Sequence, residues 1–457
     1  MQKIIDSAVT ELIRIIESKQ YSRKVAWQFV LEELDAAKDG ADFIQDRIKS
    51  FYIKSSDYIG AMSKSWNDVE GSGGPQQFLL HLAITLSERM GIENAAIVRI
   101  SIVEYIIHHY KFGRYFVDEK FESAKKPLNL FQIIPEETKL NPNYKSLITE
   151  ESKSIRDVIC RWASGFEDRD NKFNYEFQTT FNSSFWEIYL YQCFKDLNLL
   201  VDFSKASPDF SIKSIKGEVV NVEAVTANHA YDSEPEWSSS ESTISDHQKF
   251  LDFACVRILN AIKSKHDKYV NSYSKHEHVK GNPYIIAIAP FEQKFFFMQN
   301  NEAIIRVLYG QGIDSSNGFQ EIKVPIVMKN SSIPLELGVF TNDKFKEISA
   351  VIFSTTATIG KAITQSKLER DIRVSRFHEI KGLITEFKPN DKHFETHLDG
   401  LQVHHNPYAK VKLNKEFFNK YEVTHYYYDT EKEIIDNQQK SYTIISRNIF
   451  PSSKESS

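Results

Sequence analysis

Ser207-Pro208-Asp209-Phe210-Ser211-Ile212-Lys213 leads across Lys216-Gly217 into Val219-Val220-Asn221-Val222-Glu223-Ala224-Val225, and this stretch decides the reading of the chain. Pro208 to Lys213 and Val219 to Val225 flank a Lys-Gly pair and read as two strands, so the pattern predicts a hairpin. An acid stands at each arm: Asp209 behind a proline, and Glu223 fourteen residues later inside VVNVEAV. Side chains alternate along a strand, so Val219, Asn221, Glu223 and Val225 share one side. A carboxylate within so apolar a strand is costly to bury without a partner. Upstream, Phe185 to Leu197 spaces its apolar residues as an amphipathic helix, with Glu187 on it. Helix and hairpin can thus bring Glu187, Asp209 and Glu223 to one point. Clustered carboxylates raise one another's pKa, and a hard divalent cation is the usual reason to gather them.

The pattern continues outward. A helix is predicted over 246–270, and Tyr284 to Ala289, YIIAIA, fits a strand buried on both faces. Further strands are predicted at Glu347–Ser354 and Tyr442–Ile445, with a Gly-containing break at Thr355–Lys361. The fold class expected is α/β with a mixed central sheet, preceded by a helical N-terminal domain and followed by a C-terminal α+β extension. The expected boundaries are 1–120 for the helical domain, 121–153 for a Pro- and Lys-rich linker, 154–370 for the core and 371–457 for the extension.

Phe185-Trp186-Glu187-Ile188-Tyr189-Leu190, Ser207-Pro208-Asp209-Phe210 and Val222-Glu223-Ala224-Val225 together resemble the core of the PD-(D/E)XK nuclease superfamily. The resemblance spans residues 180–295. It implies a restriction-endonuclease-like fold in which Glu187, Asp209 and Glu223 bind Mg²⁺, with Mn²⁺ able to substitute. It also implies a metal-dependent DNA endonuclease, in the setting of bacterial restriction or anti-phage defence. The family's lysine falls two residues after the second acid, where this chain has Val225. The following helix offers replacements: Arg257, Ala261, Lys265 and Lys268 form one stripe. Lys265 is the expected catalytic cation, ahead of Lys263 and Lys249. A solvated helix face accounts for the same lysines, and a catalytically inactive module binding nucleic acid or a protein accounts for the missing one.

From Lys249 to Lys280 there are seven Lys or Arg and three acids, a local +4 in a chain of net charge −5. Lys249, Arg257, Lys263 and Lys268 are therefore the candidates for contacting a DNA backbone. The N-terminal helices are candidates for a protein partner or self-association. His266, His276 and His278 lie close in sequence without a recognised ligand spacing. His404-His405-Asn406-Pro407 reads as a turn. Gly71-Ser72-Gly73-Gly74-Pro75 lacks the lysine of a phosphate loop and reads as a linker. No Gly-x-Ser-x-Gly elbow occurs.

The 457 residues are 41% hydrophobic and 26% charged, ordinary for folded domains. The opening MQKIIDSAVTELIRIIESKQ lacks the apolar core of a signal peptide, and no apolar run approaches a membrane span. Three cysteines form neither a disulfide framework nor a metal-ligand spacing. A cytoplasmic protein is the simplest expectation. Residues Ser452 to Ser457 are expected to be disordered.

Overall fold

The computed structural model describes residues 128–457, apart from 198, 215–216, 229–234, 236–242, 292–293, 315–319, 330–331, 379–381, 394, 421, 439–443 and 454–457. The expected N-terminal helices and the Gly71–Pro75 loop lie outside the described residues. The chain divides into two compact units, Met1–Glu119 with Lys392–Thr396, and Lys120–Asp391 with His397–Ser457. Everything below concerns the second unit.

Its helices are α1 (Pro142–Leu147), α2 (Lys153–Trp162), α3 (Phe173–Thr179), α4 (Phe181–Asp196), α5 (His247–Asn271), α6 (Glu302–Tyr309) and α7 (Ile359–Thr364). Its strands are β1 (Leu200–Val201), β2 (Phe210–Lys213), β3 (Val219–Thr226), β4 (Tyr284–Ala289), β5 (Gln311–Asp314), β6 (Gln320–Lys323), β7 (Ile326–Met328) and β8 (Pro334–Glu336). They continue with β9 (Ala350–Phe353), β10 (Arg370–His378), β11 (Gly382–Pro389), β12 (Gln402–His405), β13 (Thr424–Asp429), β14 (Ile434–Gln438) and β15 (Ile444–Pro451). One mixed sheet takes eight of them in the order β1-β2-β3-β4-β9-β12-β13-β14. The architecture is α/β: β3, β4 and β9 run parallel, while β2 and β12 run antiparallel to their neighbours in that group.

The YIIAIA run forms β4, with all six residues buried. Its alternation feeds two cores. Ile285, Ala287 and Ala289 pack toward α2, α3 and α4, and Tyr284, Ile286 and Ile288 pack toward α5 and α6. Full burial of one such aliphatic side chain stabilises the fold by about 1.5–3 kcal/mol.

Helix α4 is not amphipathic as expected. Twelve of its sixteen residues are buried, Gln192 and Lys195 among them. A helix that is covered all round has neighbours all round: the sheet on one side, α2 and α3 on the other. Its polar groups are matched accordingly. Trp186 Nε1 donates to the Ala287 carbonyl (3.0 Å), and Lys195 Nζ donates to the carbonyls of Trp162 and Ser164 at the end of α2 (both 3.0 Å).

Two stretches pack more closely than the sequence suggests. The described part of the expected linker buries Leu130, Tyr144 and Leu147 in the core beneath α4. Beyond residue 371, β12, β13 and β14 complete the large sheet, and β10, β11 and β15 form a separate three-stranded sheet. Both stretches hide their few apolar residues among polar ones, which masks their periodicity. At the C-terminus Ser452 is buried and the Ser453 N–H bonds Asp371 Oδ2 (2.9 Å), so order reaches further than expected.

His404 and His405 end a strand and do not form a turn. Asn406 Nδ2 donates to the carbonyls of Phe345 (3.1 Å) and Ile348 (2.8 Å), tying the sheet to the preceding loop. His404 meets the Tyr309 hydroxyl at 3.2 Å and stacks on Tyr426. His405 meets His425 at 3.0 Å and stacks on Tyr427. Burial pushes both imidazoles down to about 3, helped by the neighbouring histidine in each case. Their folded pKa lies below the unfolded value, so their stabilising contribution is present above about 6.5 and falls as pH drops toward 3. The stability difference between wild type and His404→Gln/His405→Gln should therefore shrink below about pH 6.5, by up to ~1.4 kcal/mol per pH unit per histidine. Denaturant titrations of both proteins from pH 7.5 to 5 measure this, and a pH-independent difference would contradict it.

Candidate active site

The hairpin forms as its sequence suggests. Gly217 takes φ +88°, a conformation glycine adopts at little cost, and the Ser214 N–H bonds the Glu218 carbonyl (2.9 Å) to close the turn. Register pairs Phe210 with Val222 and Ser211 with Asn221. Backbone groups alternate along β3: the Asn221 N–H points to the β4 side, bonding Pro283, so Val222 and Ala224 point to β2. Strand β2 begins at Phe210, two residues later than the Pro208–Lys213 run suggests, and leaves the Ala224 N–H without a ladder carbonyl. The Asp209 side chain takes that place, its Oδ2 accepting from the Ala224 N–H at 2.8 Å. Asp209 is thus locked against the strand that carries Glu223, one position along the register.

Glu223 is fully buried, on the face of the sheet covered by α5. Asp246 starts that helix, its carboxylate accepting from the Lys249 N–H (3.0 Å). The apolar run from Phe250 to Ile262 then seats it on the sheet. Its last turns reach past the apolar core, and two ammonium groups converge on one carboxylate oxygen. Lys265 Nζ lies 2.7 Å and Lys268 Nζ 3.1 Å from Glu223 Oε1. Lys265 is the more enclosed, its side chain 21% exposed against 50% for Lys268. The Tyr284 hydroxyl donates to the Lys265 carbonyl (3.2 Å), holding this turn. Glu223 Oε2 is buried with no partner at good hydrogen-bonding geometry, the Tyr273 phenol being the nearby donor that interacts with this carboxylate, an arrangement that costs free energy unless another group satisfies it.

Glu187 comes from α4, in the layer on the opposite face of the sheet. Burial, and then the Asp209 charge, raise its carboxyl to about 8, with Glu176 and Glu223 adding to this and Arg169 opposing it. Burial and Glu223 raise Asp209 to about 6, against the pull of Lys265, the Ala224 N–H and Lys268. The three acids therefore act on one another electrostatically. They do not form a compact three-ligand cluster: no group of three His, Cys, Asp or Glu among the described residues is placed to hold a metal ion. The pair Asp209 and Glu223, with Oε2 buried and poorly satisfied, does fit Mg²⁺ in kind, since this ion commonly takes one or two carboxylates and completes its shell with water and phosphate.

The remaining cations disperse. Lys268, expected on a DNA backbone, sits on Glu223. Arg257 Nε donates to the Asn228 carbonyl (2.6 Å). It lies about 12 Å back along α5 from Lys265, and Lys249 about 24 Å back, at ~1.5 Å per residue. Lys263 is roughly 200° around the helix from Lys265 and lines a different cleft with His266 and Glu336.

Sequence reasoning missed the support behind Asp209. His278 Nε2 lies 2.9 Å from the Ser207 carbonyl; a carbonyl only accepts, so Nε2 carries the proton. His276 Nε2 lies 3.3 Å from Ser207 Oγ. The amides of Asn221 and Asn282 donate to the His278 carbonyl at 3.2 and 3.0 Å. Tyr273 stands beside the Glu223 carboxylate. Its phenol is raised well above its ordinary value by burial and by Glu223, and Lys268 Nζ lies 4.9 Å from its ring centroid. The His276-x-His278 spacing was the available signal, but it suggests ligands as readily as loop anchors.

No family model, no curated protein and no solved structure matches the chain. Among the described residues, no helix is long and apolar enough to cross a membrane.

Proposed function

We propose that the chain is a Mg²⁺-dependent DNA endonuclease of the PD-(D/E)XK type, with the restriction-endonuclease-like core formed by α4, β2, β3, α5 and β4. The observation that carries this reading is the Lys265 ammonium, 2.7 Å from a buried Glu223 whose strand neighbour is Asp209. It places a cation at the acid pair from α5, where Val225 offers none. Asp209 and Glu223 would hold the ion, which when bound supplies Lewis-acid stabilisation of phosphoryl charge and acidifies water. Lys265 stabilises the charge that builds on the phosphoryl oxygens as water attacks and the P–O bond breaks. Lys268, half exposed beside it, meets an incoming phosphate. Glu187 stays largely protonated at neutral pH in the metal-free protein. A role in bacterial restriction or anti-phage defence follows from this type of nuclease.

A second reading is a nuclease-fold module without chemistry that binds nucleic acid or a protein. It is favoured by the lack of a three-ligand cluster among the described residues, because the two lysines then serve only to neutralise Glu223. Incubating the full chain with supercoiled plasmid, linear DNA and RNA, each with Mg²⁺, Mn²⁺ or EDTA, separates the two. Metal-dependent cleavage abolished by EDTA supports the nuclease. DNA binding without cleavage under any of these conditions supports the inactive module.

A further inference from the structure

Beyond the carboxyl ends of two adjacent parallel strands lies a cleft of about 440 Å³ that shares no lining residue with the Asp209–Glu223 site. Phe291 follows the end of β4 by two residues, and Thr355 follows the end of β9 by two. In open α/β sheets this crevice is where ligands commonly bind. The walls have two characters. One is aromatic: Phe181, Phe185, Phe291, Phe296, Phe297 and Phe450. Phe181 and Phe185 stack at 5.2 Å, and Phe291 meets Phe296 edge-on at 5.0 Å, so much of this wall is fixed by packing. The other is a set of hydroxyls with a guanidinium: Thr355, Thr356, Thr358, Ser446 and Arg447. Among the described lining residues Arg447 is the charged one, and none of them is a carboxylate.

The polar wall is built. Arg447 Nη2 donates to the Thr356 carbonyl (2.6 Å) and to Thr358 Oγ1 (3.2 Å), so the cation is held against the loop after β9. Gly360 gives that approach room: a Cβ there would lie 3.1 Å from Arg447 Nε, Ile449 Cδ1 and Thr358 Oγ1 alike, a tight contact. At the rim, Asn143 Nδ2 donates to Asn182 Oδ1 (3.1 Å), placing two amides beside the aromatic wall. Phe181, Phe185, Phe291 and Phe296 are buried and form the floor, and the more accessible rings of Phe297 and Phe450 suit a planar ring system. A guanidinium among hydroxyls suits a phosphate, and amides match the donor and acceptor edges of a base.

We propose that this cleft binds a nucleotide, with its base against the phenylalanines and its phosphate against Arg447 and the threonine hydroxyls. The nucleotide is either free or part of a strand, and the site does not depend on the nuclease reading. Calorimetry on the full chain with AMP, adenosine, inorganic phosphate and a five-nucleotide single-stranded DNA tests it. AMP should bind about tenfold more tightly than adenosine, and Arg447→Gln should remove that advantage, one charge-assisted contact being worth roughly this factor. Phe297→Ala should weaken both ligands by about tenfold, within the range for losing one stacking partner. Because Arg447 also holds its loop, Phe450→Ala, whose ring is 41% exposed, is a second variant that leaves the loop intact and should weaken AMP binding. Tighter binding of the oligonucleotide than of AMP assigns the site to a strand, and the reverse assigns it to a free nucleotide. No binding of any probe up to about 1 mM, or binding unchanged in the Phe297, Phe450 and Arg447 variants, overturns the proposal.

Discussion

Lys265→Met is expected to lower metal-dependent DNA cleavage by a factor on the order of 10² or more, the range for losing one preorganised electrostatic stabiliser. Methionine keeps the length and the apolar stem but removes the charge 2.7 Å from Glu223. Lys268→Met should cost less, because that ammonium is half exposed and stands further off, at 3.1 Å. The two lysines share one carboxylate oxygen, so their effects should not add, and the double variant should be worse than the sum of the single losses. DNA affinity, measured by anisotropy in EDTA, should change little for Lys265→Met and somewhat more for Lys268→Met. Equal cleavage by wild type and Lys265→Met would leave the lysine as a structural counter-ion and favour the inactive module.

How much of this arrangement was legible depends on the physics of each part. The hairpin and β4 were legible because turn chemistry and full burial leave local signatures: Gly217 at positive φ, and six apolar residues in a row from Tyr284. Lys265 was legible because helical spacing projects one stripe from α5 onto a known strand. Lys268 lies on the same stripe, yet nothing local distinguishes a lysine that folds back onto Glu223 from one that reaches for solvent. Which face of the sheet α4 covers was not legible, because helix periodicity does not say it. His404 and His405 were misread because a His-His-Asn-Pro run carries turn residues, while its actual support, Tyr309, Tyr426 and Tyr427, comes from distant sequence.

The acids themselves should respond to substitution with opposite signs of stability. Asp209→Asn keeps an oxygen for the Ala224 N–H and removes a negative charge that burial and Glu223 already disfavour. In metal-free buffer at neutral pH its melting temperature should equal or exceed that of wild type, since like-charge repulsion is relieved. Glu223→Gln is different. Its carboxylate is the shared counter-charge of Lys265 and Lys268, so the amide leaves two ammonium groups without it. Breaking a buried pair costs about 3–5 kcal/mol when the stranded charge stays buried. Here both lysines can turn partly to water, so a loss of about 1–3 kcal/mol is expected after allowing for solvent screening. Both variants should be inactive on plasmid DNA. Loss of cleavage in a protein at least as stable as wild type cannot be a folding effect, so Asp209→Asn isolates the chemistry and Glu223→Gln tests the ion pair. Thermal and denaturant unfolding of the two variants side by side decides the matter. A Glu223→Gln protein more stable than wild type would mean that the two lysines do not compensate the buried charge, and the geometry on which Lys265 is assigned would lose its support.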